Sequence, residues 1–86
     1  MKRFTYTIAD PLGIHARPAG LLARAAKEYP DTEIVIAKGE ASAKATQLMR
    51  IMAMGVRQGD QVTITAEGGS EEQAIRDLRQ FFEENL

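Results

Sequence analysis

Asp10-Pro11-Leu12-Gly13-Ile14-His15-Ala16-Arg17-Pro18-Ala19 is the stretch where this chain changes its period. Before it, residues 2–9 alternate, with Phe4, Tyr6 and Ile8 on one side and Thr5 and Thr7 on the other. That is the pattern of a strand with one buried face. Pro11 and Gly13 break the strand. After the break, residues 16–28 read as helix: Ala19, Leu22, Ala23 and Ala26 recur at helical spacing, while Arg24, Lys27 and Glu28 fall off that stripe. Pro18 suits a first helical turn, because its missing N–H has no intrahelical partner there and its φ is already helical. His15 therefore falls at or just before the N-cap. Pro30 marks the far end.

Working outward, Ile34-Val35-Ile36 lies in a strand over residues 32–37, and Lys38-Gly39-Glu40 reads as a tight turn into a short returning strand at 41–43. Thr46 is placed to cap a short helix at about 47–53, and Gly55 stops it. Gln58-Gly59-Asp60 is a turn, after which Val62, Ile64 and Ala66 alternate with Thr63 and Thr65 in a clear strand. Gly68-Gly69 is a loop; Ser70 with Gln73 has capping-box spacing, and Glu71 and Glu72 fall where the helix dipole favours acids. Ala74, Ile75, Leu78, Phe81 and Phe82 then share one face of a helix reaching about residue 84. The order is β-α-β-β-α-β-α, with every strand able to bury one face. This predicts an α+β, two-layer α/β sandwich: a mostly antiparallel sheet with helices on one side. No linker or repeat divides residues 1–86, which are expected to form one domain.

At 86 residues there is room for a modest core but not for an enclosed, lidded catalytic cavity. A net charge of −1 gives no case for nucleic acid binding, and no basic stripe or aromatic set for base stacking supports it. There is no cysteine, so disulfides and thiolate metal sites are excluded. No apolar run approaches the ~18 residues of a membrane span, and the N-terminus lacks the apolar segment of a signal peptide. A cytoplasmic protein with no membrane insertion is expected.

His15 is the chain's one histidine. A lone histidine is commonly structural or merely exposed, but its neighbours favour a role. Free backbone N–H groups and the positive end of a helix dipole welcome an anion there. Gly13 allows close backbone approach, Ala16 leaves access to the ring, and Arg17 has no helical ion-pair partner, since Gly20 and Leu21 occupy the positions three and four later. The plainer reading of Arg17 is a solvated charge. A metal site is not expected, for want of a second histidine or a cysteine. Neither serine, Ser42 or Ser70, lies in a nucleophile-elbow context, and no phosphate-binding glycine loop with its lysine is present. No cofactor is expected. An imidazole nucleophile beside an anion hole and a guanidinium suits accepting a phosphoryl group and holding it briefly.

The segment Leu48-Met49-Arg50-Ile51-Met52-Ala53-Met54 is apolar almost all round. A two-turn helix on a thin sandwich buries only one side, with Ile51 and Met54 on one and Leu48, Met49 and Met52 on another. Either all are core, with methionines filling gaps, or part of the helix is an exposed docking patch. Arg24, Lys27 and Arg50 would then guide acidic partners to it.

Together, Gly13-Ile14-His15-Ala16-Arg17-Pro18-Ala19, Leu48-Met49-Arg50-Ile51-Met52-Ala53-Met54-Gly55 and Gln58-Gly59-Asp60 resemble the HPr family. These are the histidine-containing phosphocarriers of the bacterial phosphoenolpyruvate:sugar phosphotransferase system, and the resemblance runs over essentially the whole chain. It implies a four-stranded antiparallel sheet with three helices on one face, an open-faced β-sandwich. It implies that His15 takes phosphate on Nδ1 from phospho-enzyme I and passes it to the IIA domain of a sugar permease. Arg17 would pair with the phosphate, and the N–H groups of Ala16 and Arg17 would hold it. Leu48, Met49 and Met52 would dock both partners, with Gly20, Arg24, Lys27, Arg50 and Ala53 at the edge. A monomer is expected. Many members in certain bacteria carry a kinase-addressed serine before the second helix; counting back from Met49, Gln47 stands in its place, so that site is not carried over. Thr46 is the nearest hydroxyl, a helix cap or else a phosphate acceptor. The alternative to a carrier is an HPr-like regulatory module that acts by docking to enzymes or transcription regulators.

Overall fold

Val62, Ile64 and Ala66 have no exposed surface at all, which puts their strand at the centre of the protein. The computed structural model describes residues 1–86. Its elements are β1 (Lys2–Thr7), α1 (Ala16–Lys27), β2 (Thr32–Lys38), β3 (Ala41–Lys44), α2 (Leu48–Ala53), β4 (Gln61–Gly68) and α3 (Glu71–Asn85). The sheet order is β1-β4-β2-β3, antiparallel throughout. Ile64 lies opposite Phe4 on one side and Ile36 on the other. These inward residues, with Ile34 and Ala43, face the three helices, while Thr5, Thr7 and Glu33 face away. This is the two-layer sandwich expected from the alternation, in the four-stranded open-faced form implied by the resemblance.

Phe82 of α3 is fully buried and packs edge-on against Phe4, Tyr6 and Phe81. Leu22 and Ala19 anchor α1, and Ile51 is the one buried residue of α2. No helix is long and apolar enough to cross a membrane.

Two local expectations are corrected. Thr46 does not cap α2. The Gln47 N–H donates to the Lys44 carbonyl (3.0 Å), and that turn delays the helix by one residue; Gln47 is the N-cap, its carbonyl accepting the Ile51 N–H (3.1 Å). Nor do Ser70 and Gln73 form a capping box. The Ser70 hydroxyl donates to Asp31 (3.1 Å), its N–H donates to the Thr32 hydroxyl (2.9 Å), and the Gln73 amide donates to Asp77 (2.9 Å). Tertiary partners at the start of β2 outcompete the local motif.

Candidate functional site

The loop joining β1 to α1 is pinned along its length. The Ala9 and Asp10 N–H groups donate to the Leu86 carbonyl (2.6 and 2.8 Å), and the Gln58 amide donates to the Ala9 carbonyl (3.0 Å). Asp10 closes the turn: its Oδ1 accepts the Leu12 N–H (2.8 Å) and its carbonyl accepts the Gly13 N–H (2.9 Å). Gly13 has φ +66°, and a Cβ there would collide with the Val56 carbonyl oxygen, which accepts the Ile14 N–H (3.1 Å). Only glycine fits this crossing without strain. Buried Ile14 then plugs the loop into the core.

His15 follows as the N-cap of α1, in extended backbone at φ −97°, ψ −175°. Its carbonyl accepts the Ala19 N–H (3.0 Å), but its side chain makes no capping bond. The amides of Ala16 and Arg17 have no acceptor within the molecule, and Pro18 has no N–H. The positive end of α1 is thus left open with two donors facing outward. The His15 ring is half-buried beside a shallow depression of about 320 Å³, whose other walls are Asp10, Arg17, Pro18, Leu21, Glu84 and Asn85. Arg17 is exposed and belongs to none of the three ion pairs, Met1 amino–Glu71, Lys2–Glu72 and Lys38–Asp60. An imidazole, a free guanidinium and two unpaired amides at a helix N-terminus can receive and hold a dianion.

The second group of residues lies on α1 and α2, which pack against each other. Met49 is 76% exposed, Met52 40% and Leu48 36%, whereas Ile51 is fully buried. The three are therefore surface and not core. Arg24, Lys27, Arg50 and Ala53 are exposed around them, and Gly20 is half-exposed. Leu21, 36% exposed on α1, lines the His15 depression and adds a further apolar group to the exposed side of that helix. Its spacing from Arg17 and Arg24, opposite the core stripe, was the available signal. Glu84 and Asn85 reach the site from the end of α3, which no local pattern reveals. Thr46 is exposed in the turn before α2.

The α2 end is tied to the loop that supports the site. Lys38 Nζ donates to the Gly55 carbonyl (3.2 Å) and pairs with Asp60 (2.9 Å), which also accepts the Arg57 N–H (2.8 Å). The Lys38 contact, then the Arg57 amide, hold the Asp60 carboxyl below its usual range.

Residues 2–84 match the family model described as the HPr component phosphorylation site of the phosphotransferase system. The chain belongs to the HPr family. The phosphocarrier protein HPr of Mycoplasma genitalium is 35% identical over 85 residues, 99% of this chain and 97% of that one. A crystal structure of HPr from Thermoanaerobacter tengcongensis is 38% identical, covers 96% of this chain and 92% of its own, and superposes with a TM-score of 0.90. A second HPr structure from that organism, described as a dimer, is 38% identical over 98% of this chain and 95% of its own, with a TM-score of 0.76. Membership in the HPr family makes the chain a phosphocarrier component of the phosphotransferase system.

Proposed function

We propose that this chain carries phosphoryl groups on Nδ1 of His15 between phospho-enzyme I and the IIA domains of sugar permeases. The observation that carries the reading is the half-exposed imidazole at the uncapped start of α1, with the Ala16 and Arg17 amides unpaired and the Arg17 guanidinium free. In the step, the Nδ1 lone pair of neutral His15 attacks phosphorus. The N–P bond of the donor phosphohistidine breaks, its electron pair returns to the donor ring, and His15 keeps its proton on Nε2. The Ala16 and Arg17 N–H groups and the guanidinium hold the phosphoryl oxygens. Donation to the IIA domain is the same exchange with the roles reversed.

Both partners dock on Leu48, Met49 and Met52, with Gly20, Arg24, Lys27, Arg50 and Ala53 around them. No cofactor or metal takes part. The chain acts as one domain, a monomer in the cytoplasm. Phosphorylation of Thr46 is not part of this reading, since the hydroxyl stands one position before Gln47, which matches the regulatory serine of other members.

The test is phosphoenolpyruvate-dependent labelling with catalytic enzyme I. One acid-labile phosphate per chain is expected, absent in His15→Ala. An acid-stable phosphate, or label that survives His15→Ala, overturns the reading. The second reading is a regulatory module, favoured by the exposed apolar side of α2, which would serve docking without transfer. That module would bind its partners unchanged in His15→Ala and take no label as wild type.

A further inference from the structure

Asp10 puts a carboxylate into a depression otherwise suited to a dianion. It shares that depression with His15 and Arg17. It is not free to turn away: its Oδ1 accepts the Leu12 N–H (2.8 Å), its own N–H donates to the Leu86 carbonyl (2.8 Å), and its carbonyl accepts the Gly13 N–H (2.9 Å). No cation pairs with it, since the molecule's ion pairs all lie elsewhere. Glu84 adds a second negative charge from α3, without any bond to the loop. For binding a phosphoryl group this carboxylate is the wrong sign. As a turn former, an uncharged acceptor at the same position would serve equally well. The charge itself is what needs a reason.

We propose that Asp10 is a tuning residue that raises the phosphoryl-donor power of phosphorylated His15 by holding a fixed negative charge beside it. The proposal rests on the carrier reading above. Arg17 and the two free amides draw the dianion in; Asp10 opposes them, so the phosphoryl group is held without being trapped. A carrier that bound its phosphoryl group too stably would accept readily and donate poorly, and the opposing charge moves that balance toward release.

Asp10→Asn separates the two roles, because the amide oxygen still accepts the Leu12 N–H while the charge is gone. Wild type, Asp10→Asn and Asp10→Ala are equilibrated with catalytic enzyme I at a fixed phosphoenolpyruvate:pyruvate ratio. The ratio of phosphorylated to free chain is then read by intact-protein mass spectrometry. At low salt the Asp10→Asn ratio should rise about three- to tenfold, the scale of a unit charge acting on a dianion through a nearly aqueous medium. The rise should largely vanish at about 1 M salt, where the screening length is ~3 Å. Asp10→Ala should show the same rise together with lower thermal stability, from loss of the turn. An Asp10→Asn ratio equal to wild type, or a rise that salt does not diminish, overturns the proposal. Wild type that takes no label at all instead overturns the carrier reading, so the two failures are distinguishable.

Discussion

Met49→Glu should separate docking from folding. Met49 is 76% exposed, and it lies in the first turn of α2, which carries no acidic residue. Glutamate is as good a helix former as methionine, and an acid in the first turn is favoured by the helix dipole. Stability should therefore stay within about 0.5 kcal/mol of wild type. Docking is different. Full burial of a methionine side chain contributes about 1.5–3 kcal/mol. With three-quarters of the side chain still open, a partner that covers Met49 gains roughly 1–2 kcal/mol from it. A carboxylate in its place loses that and must also be desolvated, so the Kd for enzyme I should rise at least about tenfold. Titration calorimetry measures the affinity, and urea unfolding measures the stability. Ile51→Ala is the counterpart two residues on: fully buried, it should cost about 2–5 kcal/mol of folding stability. An unchanged Kd in Met49→Glu, or a stability loss as large as that of Ile51→Ala, would refute the assignment of this surface.

Arg17→Ala removes an exposed, unpaired side chain, so the fold should be intact. Charge-assisted hydrogen bonds to the phosphoryl group are worth about 1.5–3 kcal/mol, so rapid-quench transfer from phospho-enzyme I should slow about 10- to 100-fold; an unchanged rate removes Arg17 from the step. Gly13→Ala combines left-handed backbone strain with the collision at Val56 and should cost about 2–5 kcal/mol in urea unfolding; a loss under about 1 kcal/mol would mean the loop relaxes freely. The Tyr29 hydroxyl, just past the end of α1, donates to Asp77 of α3, and burial first, then that bond, push its pKa up to about 12. A raised pKa favours the neutral phenol in the folded state, so its stabilisation is intact below the ordinary value near ~10 and is lost as pH climbs to about 12. Asp77 is held low by Tyr29, then Gln73, so its contribution is lost instead as pH falls through the acid range. Tyr29→Phe should abolish the alkaline loss of stability; parallel alkaline profiles would contradict this.

β1 and β4 were legible because each keeps a period of two over several residues, as Val62, Ile64 and Ala66 do, whereas β2 showed as the apolar run Ile34-Val35-Ile36 and β3 only as a short return after the Lys38-Gly39-Glu40 turn. The order β1-β4-β2-β3 was not, because β1 pairs with β4 across most of the chain and no local pattern encodes that partner. His15, Ala16 and Arg17 were legible because a helix start is a local event marked by Pro18. The exposure of Met49 was ambiguous, since a helix of six residues is too short for its apolar stripe to name a buried side. Thr46 and Ser70 misled for one reason: each fits a cap locally, but a neighbouring turn in one case and Asp31 and Thr32 in the other settle the backbone differently. Asp10 carried no local mark of a role, because Glu84 of α3 joins it at the same depression only in three dimensions.

The placement of the two surfaces constrains how tightly partners can bind. Ile51 is the one buried residue of α2, whose other side chains stay open to solvent, and the His15 depression is shallow. A contact confined to these features would be of the small, transient class under ~1,200 Å². In the proposed step, transfer between two phosphohistidines would exchange like bonds, so the chemistry itself would supply little drive in either direction. Directionality must then come from the electrostatic setting of each site and from quick separation of each pair. A larger docking face would lower Kd and slow release, and a carrier that serves a donor and an acceptor on one face would then be blocked by its own product complex. On the proposed carrier reading, the small apolar patch and the opposing charge at Asp10 would act on the same requirement, one on the lifetime of the complex and the other on the energy of the phosphoryl bond.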